Sequence, residues 1–174
     1  EEPFNLHDVL EDCVTILSPL AEERGIQLEL EDSGLRHSRV MGNPLHLKQI
    51  LTNVMDNALR YNRPHGAVFV RAEEAFQDGT LRCRFVVEDT GIGMGEDFKE
   101  HIFEPFTQEH QDARTNYNGV GLGMSIVKKL VDQMKGTVEI DSRIGKGSVV
   151  RITLPLRADE AGTGAPADAA WKMP

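Results

Sequence analysis

The spacing of hydrophobic residues most restricts the fold of this chain, because it changes repeatedly between two periods. The first segment has apolar residues three and four positions apart, which predicts a helix that Pro19 bends or ends: Leu6, Val9, Leu10, Cys13, Leu17 and Leu20. Directly afterwards, Ile26 to Leu30 alternates strictly between apolar and polar residues, which predicts a half-buried strand. A chain patterned in both ways is expected to pack helices on a sheet.

The same patterns divide the rest of the folded part into elements of both kinds. Asn43 suits a helix cap and Pro44 the first helical position, so a second helix is predicted to begin there and to stop before Pro64. The further predicted elements are the strands Ala67–Ala75 and Leu81–Glu88, a helix Val120–Met134, and the strands Thr137–Asp141 and Ser148–Leu154. We therefore predict an α/β two-layer sandwich, in which three helices cover one face of a mixed, mostly antiparallel sheet.

Length and composition indicate one domain with a hydrophobic core. The chain has 174 residues, 40% of them hydrophobic, and no apolar stretch approaches the roughly 18 residues that span a bilayer. A net charge of -9 argues against binding to a nucleic-acid backbone, and the two cysteines match no metal or redox spacing. We expect a cytoplasmic domain over residues 1–156 without membrane contact, and a disordered tail or linker over residues 157–174.

A polar stripe on the second helix is the first candidate binding feature. Asn53 and Asn57 are four residues apart and therefore share a face, which Arg60 and Tyr61 continue one turn later. Carboxamide oxygens can ligate Mg²⁺, an arginine can neutralise phosphate charge, and a tyrosine can lie against a base. A solvated polar face explains the same stripe without any function.

The segment Asp89-Thr90-Gly91-Ile92-Gly93 follows a strand rich in Val and Phe. A carboxylate at a strand end can accept a hydrogen bond from the exocyclic amine of adenine, and glycines allow close approach of a flat ring. An ordinary Asp-Gly turn is the alternative interpretation.

Two further motifs lie in the long polar segment that follows. Gly119-Val120-Gly121-Leu122-Gly123 runs into a predicted helix, where backbone N–H groups and the helix dipole favour an anion. The segment follows a polar loop and no strand, so a dinucleotide-binding fingerprint does not fit. The other motif, Phe103-Glu104-Pro105-Phe106, is interpreted as a hydrophobic anchor that fixes the loop to the core.

In this order and spacing, the motifs resemble the N, G1, F and G2 boxes of sensor histidine kinases. Gly145-Lys146-Gly147-Ser148 is similar to the glycine-containing hairpin that closes the family's catalytic domain. The resemblance covers roughly residues 4 to 156 and implies the Bergerat fold, shared with the Hsp90 and MutL ATPases. It also implies ATP and Mg²⁺ as ligands, and a lid over the nucleotide at about residues 95–118.

The resemblance assigns roles to individual residues. Asn57 would be the principal Mg²⁺ ligand with Asn53 in support, and Asp89 would bind the adenine amine. Gln108 stands where many members carry a basic residue, so Arg114 is the hypothesised contact to the γ-phosphate. The full predicted nucleotide site is Asn53, Asn57, Arg60, Tyr61, Asp89, Gly91, Ile92, Gly93, Phe106, Arg114, Gly119, Val120, Gly121, Leu122, Gly123 and Ser148.

The reaction implied by the resemblance is transfer of the ATP γ-phosphoryl group to a histidine on a dimerisation hairpin, for relay to the receiver domain of a response regulator. None of the six histidines lies in the sequence that marks the phosphoacceptor. We therefore expect that histidine and its base to lie outside this chain, which should be monomeric and unable to phosphorylate itself.

Three other functions are compatible with parts of the pattern. A hydrolytic ATPase of the Hsp90 or MutL kind would carry a water-activating Glu where this chain has Asn53. A non-catalytic interaction module has little reason to keep every box. A serine kinase that regulates sigma factors shares the boxes, but the Phe103–Phe106 anchor and the long lid favour the histidine kinase.

Overall fold

The structure of this chain is a computed structural model. The structure describes residues 1–37, 39–77, 80–93, 95, 101–104 and 123–159. Its helices are α1 (Leu6–Glu23), α2 (Pro44–Arg60) and α3 (Gly123–Gln133). Its strands are β1 (Glu2–Asn5), β2 (Gln27–Gly34), β3 (Arg39–Gly42), β4 (Ala67–Gln77), β5 (Thr80–Asp89), β6 (Thr137–Arg143) and β7 (Gly147–Ala158).

The strands form one mixed sheet with the order β1-β3-β7-β5-β4-β2, and β6 pairs with β7. Only β2 and β4 pair in parallel, and the other neighbouring strands among these are antiparallel. Alternate residues of β7 face the helices and are buried: Val150, Ile152, Leu154 and Leu156. The predicted class, with three helices on a mostly antiparallel sheet, is confirmed.

The helices form a second layer, in which α2 contacts both α1 and α3. Asn5 caps α1 by accepting hydrogen bonds from two backbone N–H groups, and Asn43 caps α2 by accepting from His46 N. Both caps satisfy donors that the first helical turn leaves unpaired. Two polar contacts connect this pair of helices. Cys13 Sγ lies 3.9 Å from Lys48 O, and Arg24, the residue directly after α1, donates from its side chain to Arg60 O.

Some predicted boundaries differ from the structure. The helix α1 continues through Pro19, since its apolar stripe packs on the core on both sides of that residue. Two short strands, β1 and β3, were not predicted, because four residues carry too little alternation to be recognised. The strand β7 extends four residues beyond the predicted end at Leu154, since Ala158 pairs with Val40.

None of the helices in the described part of the chain is both long enough and apolar enough to cross a membrane.

A buried hydrogen-bonded contact fixes the β2–β3 connection to the sheet. His37 is 3% exposed, and its Nδ1 lies 2.7 Å from Oε2 of Glu74 on β4. The other carboxylate oxygen of Glu74 accepts from the backbone N–H groups of Arg36 and His37. The carboxylate therefore satisfies both donors of the buried His37 and, in addition, the N–H of the exposed Arg36.

We expect Glu74→Ala to lower the free energy of unfolding by about 3–5 kcal/mol, because it leaves a buried histidine and backbone donors unpaired. The control is Glu73→Ala, whose side chain pairs with Arg84 near the surface at 2.7 Å and should contribute about 1 kcal/mol or less. Urea denaturation measures the free energy of unfolding of both variants. Equal losses would show that the buried contact does not stabilise the fold.

Candidate functional site

Six of the predicted site residues lie together at one end of the sheet, where β5 ends and β4 begins: Tyr61, Asp89, Gly91, Ile92, Gly93 and Ser148. Asp89 is the last residue of β5, and it pairs with Val68 on one side and with Ser148 on the other. The C-terminal end of α2 lies against the same turn, because Ile92 N donates to Tyr61 O at 3.2 Å. Segments that are far apart in the sequence therefore meet at this turn.

The carboxylate of Asp89 is the titratable centre of this site. Burial raises its pKa from 3.8 to about 6, against the opposing effect of backbone N–H groups of Gly91 and Ser148 that donate to it. Gly91 N lies 2.8 Å from Oδ1. A carboxylate held in this way has a fixed orientation and remaining lone pairs, so it can accept a hydrogen bond from an amine of a ligand.

The two glycines of the turn are required by close contacts. A Cβ at Gly91 would lie 2.6 Å from Tyr61 O, and a Cβ at Gly93 would lie 1.9 Å from Arg143 O. Gly93 also has a φ of +73°, which disfavours other residues. The turn is thus packed between the end of α2 and the β6–β7 hairpin, and the described contacts of both glycines are with the protein's own backbone; the approach of a flat ring stays a prediction.

The β6–β7 hairpin is fastened to this turn by hydrogen bonds. Gly145 N donates to Ile92 O at 2.8 Å, and Arg63 Nη2 donates to Gly145 O at 2.6 Å. Within the hairpin, the hydroxyl groups of Ser142 and Ser148 lie 2.7 Å apart. The backbone N–H of Ser148 therefore bonds to Asp89 of the site, whereas the Ser148 hydroxyl is hydrogen-bonded within the hairpin.

The polar stripe of α2 lies beside the turn, and its four members are half-buried. Arg60 is paired within the helix, because its Nε lies 2.8 Å from Oδ2 of Asp56. Tyr61 caps α2 with its backbone N–H bonded to Asn57 O at 3.2 Å. The carboxamides of Asn53 and Asn57 make no hydrogen bond within the described part of the chain.

This donor set suits a hard cation better than a transition metal. The described residues contain no group of three or more His, Cys, Asp or Glu side chains that could hold a metal ion. Mg²⁺ does not need such a cage, since it keeps several waters and shares its remaining positions between protein oxygens and phosphate. The residues present therefore fit a magnesium ion that arrives with a nucleotide.

Several predicted site residues lie outside the described residues. They are Phe106, Arg114, Gly119, Val120, Gly121 and Leu122, together with most of the predicted lid. Gly123 is described and is the first residue of α3. Phe103, from the predicted anchor, is partly buried and packs against the core.

Sequence reasoning missed two residues that join the parts of this site. Asn62, 7% exposed, accepts from Arg63 N and donates to Ala67 O, and the Thr90 hydroxyl donates to its Oδ1 at 3.2 Å. The position of Asn62 directly after a helix was the available signal, since Asn often bonds nearby backbone there.

The raised pKa of Asp89 predicts that nucleotide affinity depends on pH. The ionised carboxylate accepts from an adenine amine more strongly than the protonated group, whose acceptor is a neutral carbonyl, so affinity should be constant above pH 7 and should fall as pH drops through 6. At pH 5 we expect a roughly tenfold larger dissociation constant than at pH 8. Calorimetric titrations across this range measure it, with adenosine as the control ligand because it lacks phosphates that titrate near pH 6. A flat adenosine profile would contradict the prediction.

Comparisons with known proteins agree with this geometry. Residues 42–158 match the family described as histidine kinase-, DNA gyrase B-, and HSP90-like ATPase. The sensor histidine kinase GacS of Pseudomonas protegens is 39% identical over 165 residues, which are 91% of this chain and 18% of that protein. This chain thus spans less than a fifth of the length of that relative.

Solved structures share the fold. Full-length ShkA in complex with AMPPNP has 30% identity and a TM-score of 0.75, covering 90% of this chain and 31% of that one. The catalytic domain of histidine kinase ThkA, in a nucleotide-free form, has 25% identity and a TM-score of 0.72, covering 88% and 95%. ThkA has also been solved in complex with the response regulator protein TrrA, where the likeness is 22% identity and a TM-score of 0.70, covering 92% and 42%.

Proposed function

The chain belongs to the histidine kinase-, DNA gyrase B- and HSP90-like ATPase family as the ATP-binding catalytic domain of a sensor histidine kinase, and we propose that within its parent protein it transfers the γ-phosphoryl group of ATP to a histidine on a dimerisation hairpin. The phosphate would then pass to an aspartate of a response regulator receiver domain. The observation that carries the proposal is the junction of the Asp89–Gly93 turn with the end of α2, at the Ile92 N to Tyr61 O bond.

The adenine end of the proposed site is the Asp89 carboxylate. Its fixed orientation supports acceptance from the exocyclic amine, a group that guanine lacks at that position. Gly91 and Gly93 let the turn pack directly against Tyr61 O and Arg143 O, which holds the neighbouring Asp89 in place, and Ile92 between them is half-buried. Selectivity for adenine over guanine follows, because guanine would present a carbonyl oxygen to this acceptor.

The phosphate end of the proposed site is the stripe on α2 together with the start of α3. Asn57 and Asn53 would hold Mg²⁺ and its waters, and the metal would neutralise charge on the phosphates when bound. Arg60 supports the phosphates once it exchanges its Asp56 partner for them. The start of α3, at Gly123, supplies a helix N-terminus that favours an anion.

The work of these residues is positioning and charge neutralisation, since the transition state of phosphoryl transfer is loose. No base is assigned in this chain, because the group that activates the histidine belongs to the hairpin. Asn53 also argues against direct hydrolysis, since an amide cannot take a proton from water as a carboxylate does. The proposed catalytic domain is cytoplasmic and monomeric, and it comprises the predicted residues 1–156 together with Arg157 and Ala158, which pair with β3 as the end of β7.

The test is a calorimetric titration with Mg-ATP, ATP in EDTA, and Mg-GTP, followed by incubation with radiolabelled ATP and a separate dimerisation hairpin. We expect one adenine-selective site, a higher affinity with Mg²⁺, and label on the hairpin only. Steady ATP hydrolysis without the hairpin would instead favour an ATPase of the HSP90 type. A domain that binds no nucleotide under any condition would overturn the proposal. Light scattering separately measures the mass in solution and so tests whether the domain is a monomer.

A further inference from the structure

The segment that connects α2 to β4 contains a buried carboxamide that bonds to three separate parts of the chain. Asn62 Oδ1 accepts from Arg63 N at 2.8 Å, and its Nδ2 donates to Ala67 O, the first residue of β4, at 2.9 Å. The hydroxyl of Thr90, in the Asp89–Gly93 turn, donates to the same Oδ1 at 3.2 Å. With 7% exposure, Asn62 has little access to water as an alternative partner.

Thr90 completes the connection from the side of the turn. Its Oγ1 accepts from Ala67 N at 2.9 Å, and its own N–H donates to Ala67 O at 3.2 Å. The surrounding backbone is packed tightly, since a Cβ at Gly66 would lie 2.4 Å from Asn62 Oδ1 and 2.8 Å from Thr90 Oγ1. The side chains of Asn62 and Thr90 therefore set the distance between the end of α2 and the turn.

This distance matters for the proposed ligand, because the two ends of the site lie on the two elements that the contact joins. Asn57 is on the last turns of α2, five residues before Asn62, and Asp89 directly precedes Thr90. A nucleotide that engages both ends needs them in one fixed relation, whereas a ligand that engages one end does not.

We propose that Asn62 and Thr90 are positioning residues that hold the adenine-binding and phosphate-binding ends of the site in register, so that they control affinity for Mg-ATP more than affinity for adenosine. Neither side chain touches the ligand in this role. The inference rests on the proposed function, since it requires the site to take an adenine nucleotide with Mg²⁺.

The experiment compares dissociation constants for Mg-ATP by calorimetry and for adenosine by NMR titration. Thr90→Val removes the hydroxyl at nearly constant shape, Thr90→Ser restores it, and Asn62→Ala removes the carboxamide. The matched control is Thr52→Val, which deletes a hydroxyl bonded to Lys48 O at 2.8 Å elsewhere on α2. Melting temperatures are recorded for each variant.

We expect Thr90→Val and Asn62→Ala to weaken Mg-ATP binding by roughly five- to tenfold and adenosine binding by about twofold or less. Thr90→Ser should recover the wild-type ratio of the two constants, and Thr52→Val should retain it. A loss of folded protein would lower both affinities equally and leave the ratio unchanged, so the ratio separates positioning from stability.

If the wild-type domain binds Mg-ATP and the ratio is unchanged in both Thr90→Val and Asn62→Ala, the inference is overturned and the proposed function stands. Failure of both variants to fold also overturns it, because the pair would then be a folding element. Absence of nucleotide binding by the wild-type domain is a different result, which removes the proposed function itself.

Discussion

Asp89→Asn is expected to abolish ATP binding and, at the same time, to make the nucleotide-free domain more stable. The amide offers one oxygen in place of a charged carboxylate, and its NH₂ group opposes the amine of adenine if the side chain turns. Loss of a charge-assisted hydrogen bond in a largely buried site should weaken binding by about a hundredfold or more. Calorimetric titration with Mg-ATP measures this loss.

The gain in stability follows from the pKa of the same carboxyl. Burial raises it from 3.8 to about 6, so between these values the folded state holds a proton that the unfolded state has released. Stability from this group therefore increases as pH falls from 6 to 4, and at neutral pH the ionised carboxylate opposes folding. Asparagine removes that charge, so we expect a gain of about 1–3 kcal/mol at pH 7.5 and none at pH 4.

The control for both effects is Glu88→Gln, which removes a charge one residue away on the opposite face of the sheet; repulsion from Glu88 is the smallest cause of the raised Asp89 pKa, so this variant should show only a small part of the stability gain. This variant should bind ATP normally. Urea denaturation at pH 4 and pH 7.5 gives the stability comparison. A less stable Asp89→Asn at neutral pH would show that the hydrogen bonds from Gly91 and Ser148 outweigh the burial of charge.

Gly93→Ala is the second change with a large expected effect, because two penalties combine at this position. The backbone has a φ of +73°, and the added methyl carbon would lie 1.9 Å from Arg143 O, a backbone atom that cannot rotate away. The turn must therefore separate from the β6–β7 hairpin, which breaks the bond from Gly145 N to Ile92 O. We expect a stability loss of about 3 kcal/mol or more and no measurable ATP binding.

Gly145→Ala separates the two penalties. Gly145 has a comparable φ of +82°, but the nearest atom to an added Cβ is Arg63 Nη2 at 3.7 Å, which is ordinary contact. This variant should lose only about 1 kcal/mol, the conformational penalty alone. Thermal denaturation of both variants tests the difference. Similar losses would mean that φ alone, and not the close approach to Arg143, requires glycine at position 93.

Much of the fold could be predicted from local patterns. The start of α2 was recognised from Asn43 and Pro44, because capping is a local interaction between neighbouring residues. The strands β4 and β5 were predicted close to their observed bounds, as Ala67–Ala75 and Leu81–Glu88, from the residue types that favour strands. In contrast, β1 and β3 pair across more than thirty residues of sequence, and four-residue strands of that kind have no local signal.

The sequence by itself determined the types of element, the order of the motifs and the chemistry that they offer. These properties depend on periodicity, on residue type and on spacing within single segments, as for Asn53 and Asn57 on one helical face or Asp89 at a strand end. They were sufficient to identify the family, because several motifs in one order are far more specific than any motif alone.

Only the tertiary structure decided how the parts of the site are held together. The bond from Arg63 to Gly145 joins residues 82 apart, and the bond from Thr90 to Asn62 joins residues 28 apart. Burial of Asp89, which raises its pKa, also depends on elements that pack around it from elsewhere in the chain. Contacts and dielectric surroundings of this kind arise from packing between distant segments, so no local pattern in the sequence encodes them.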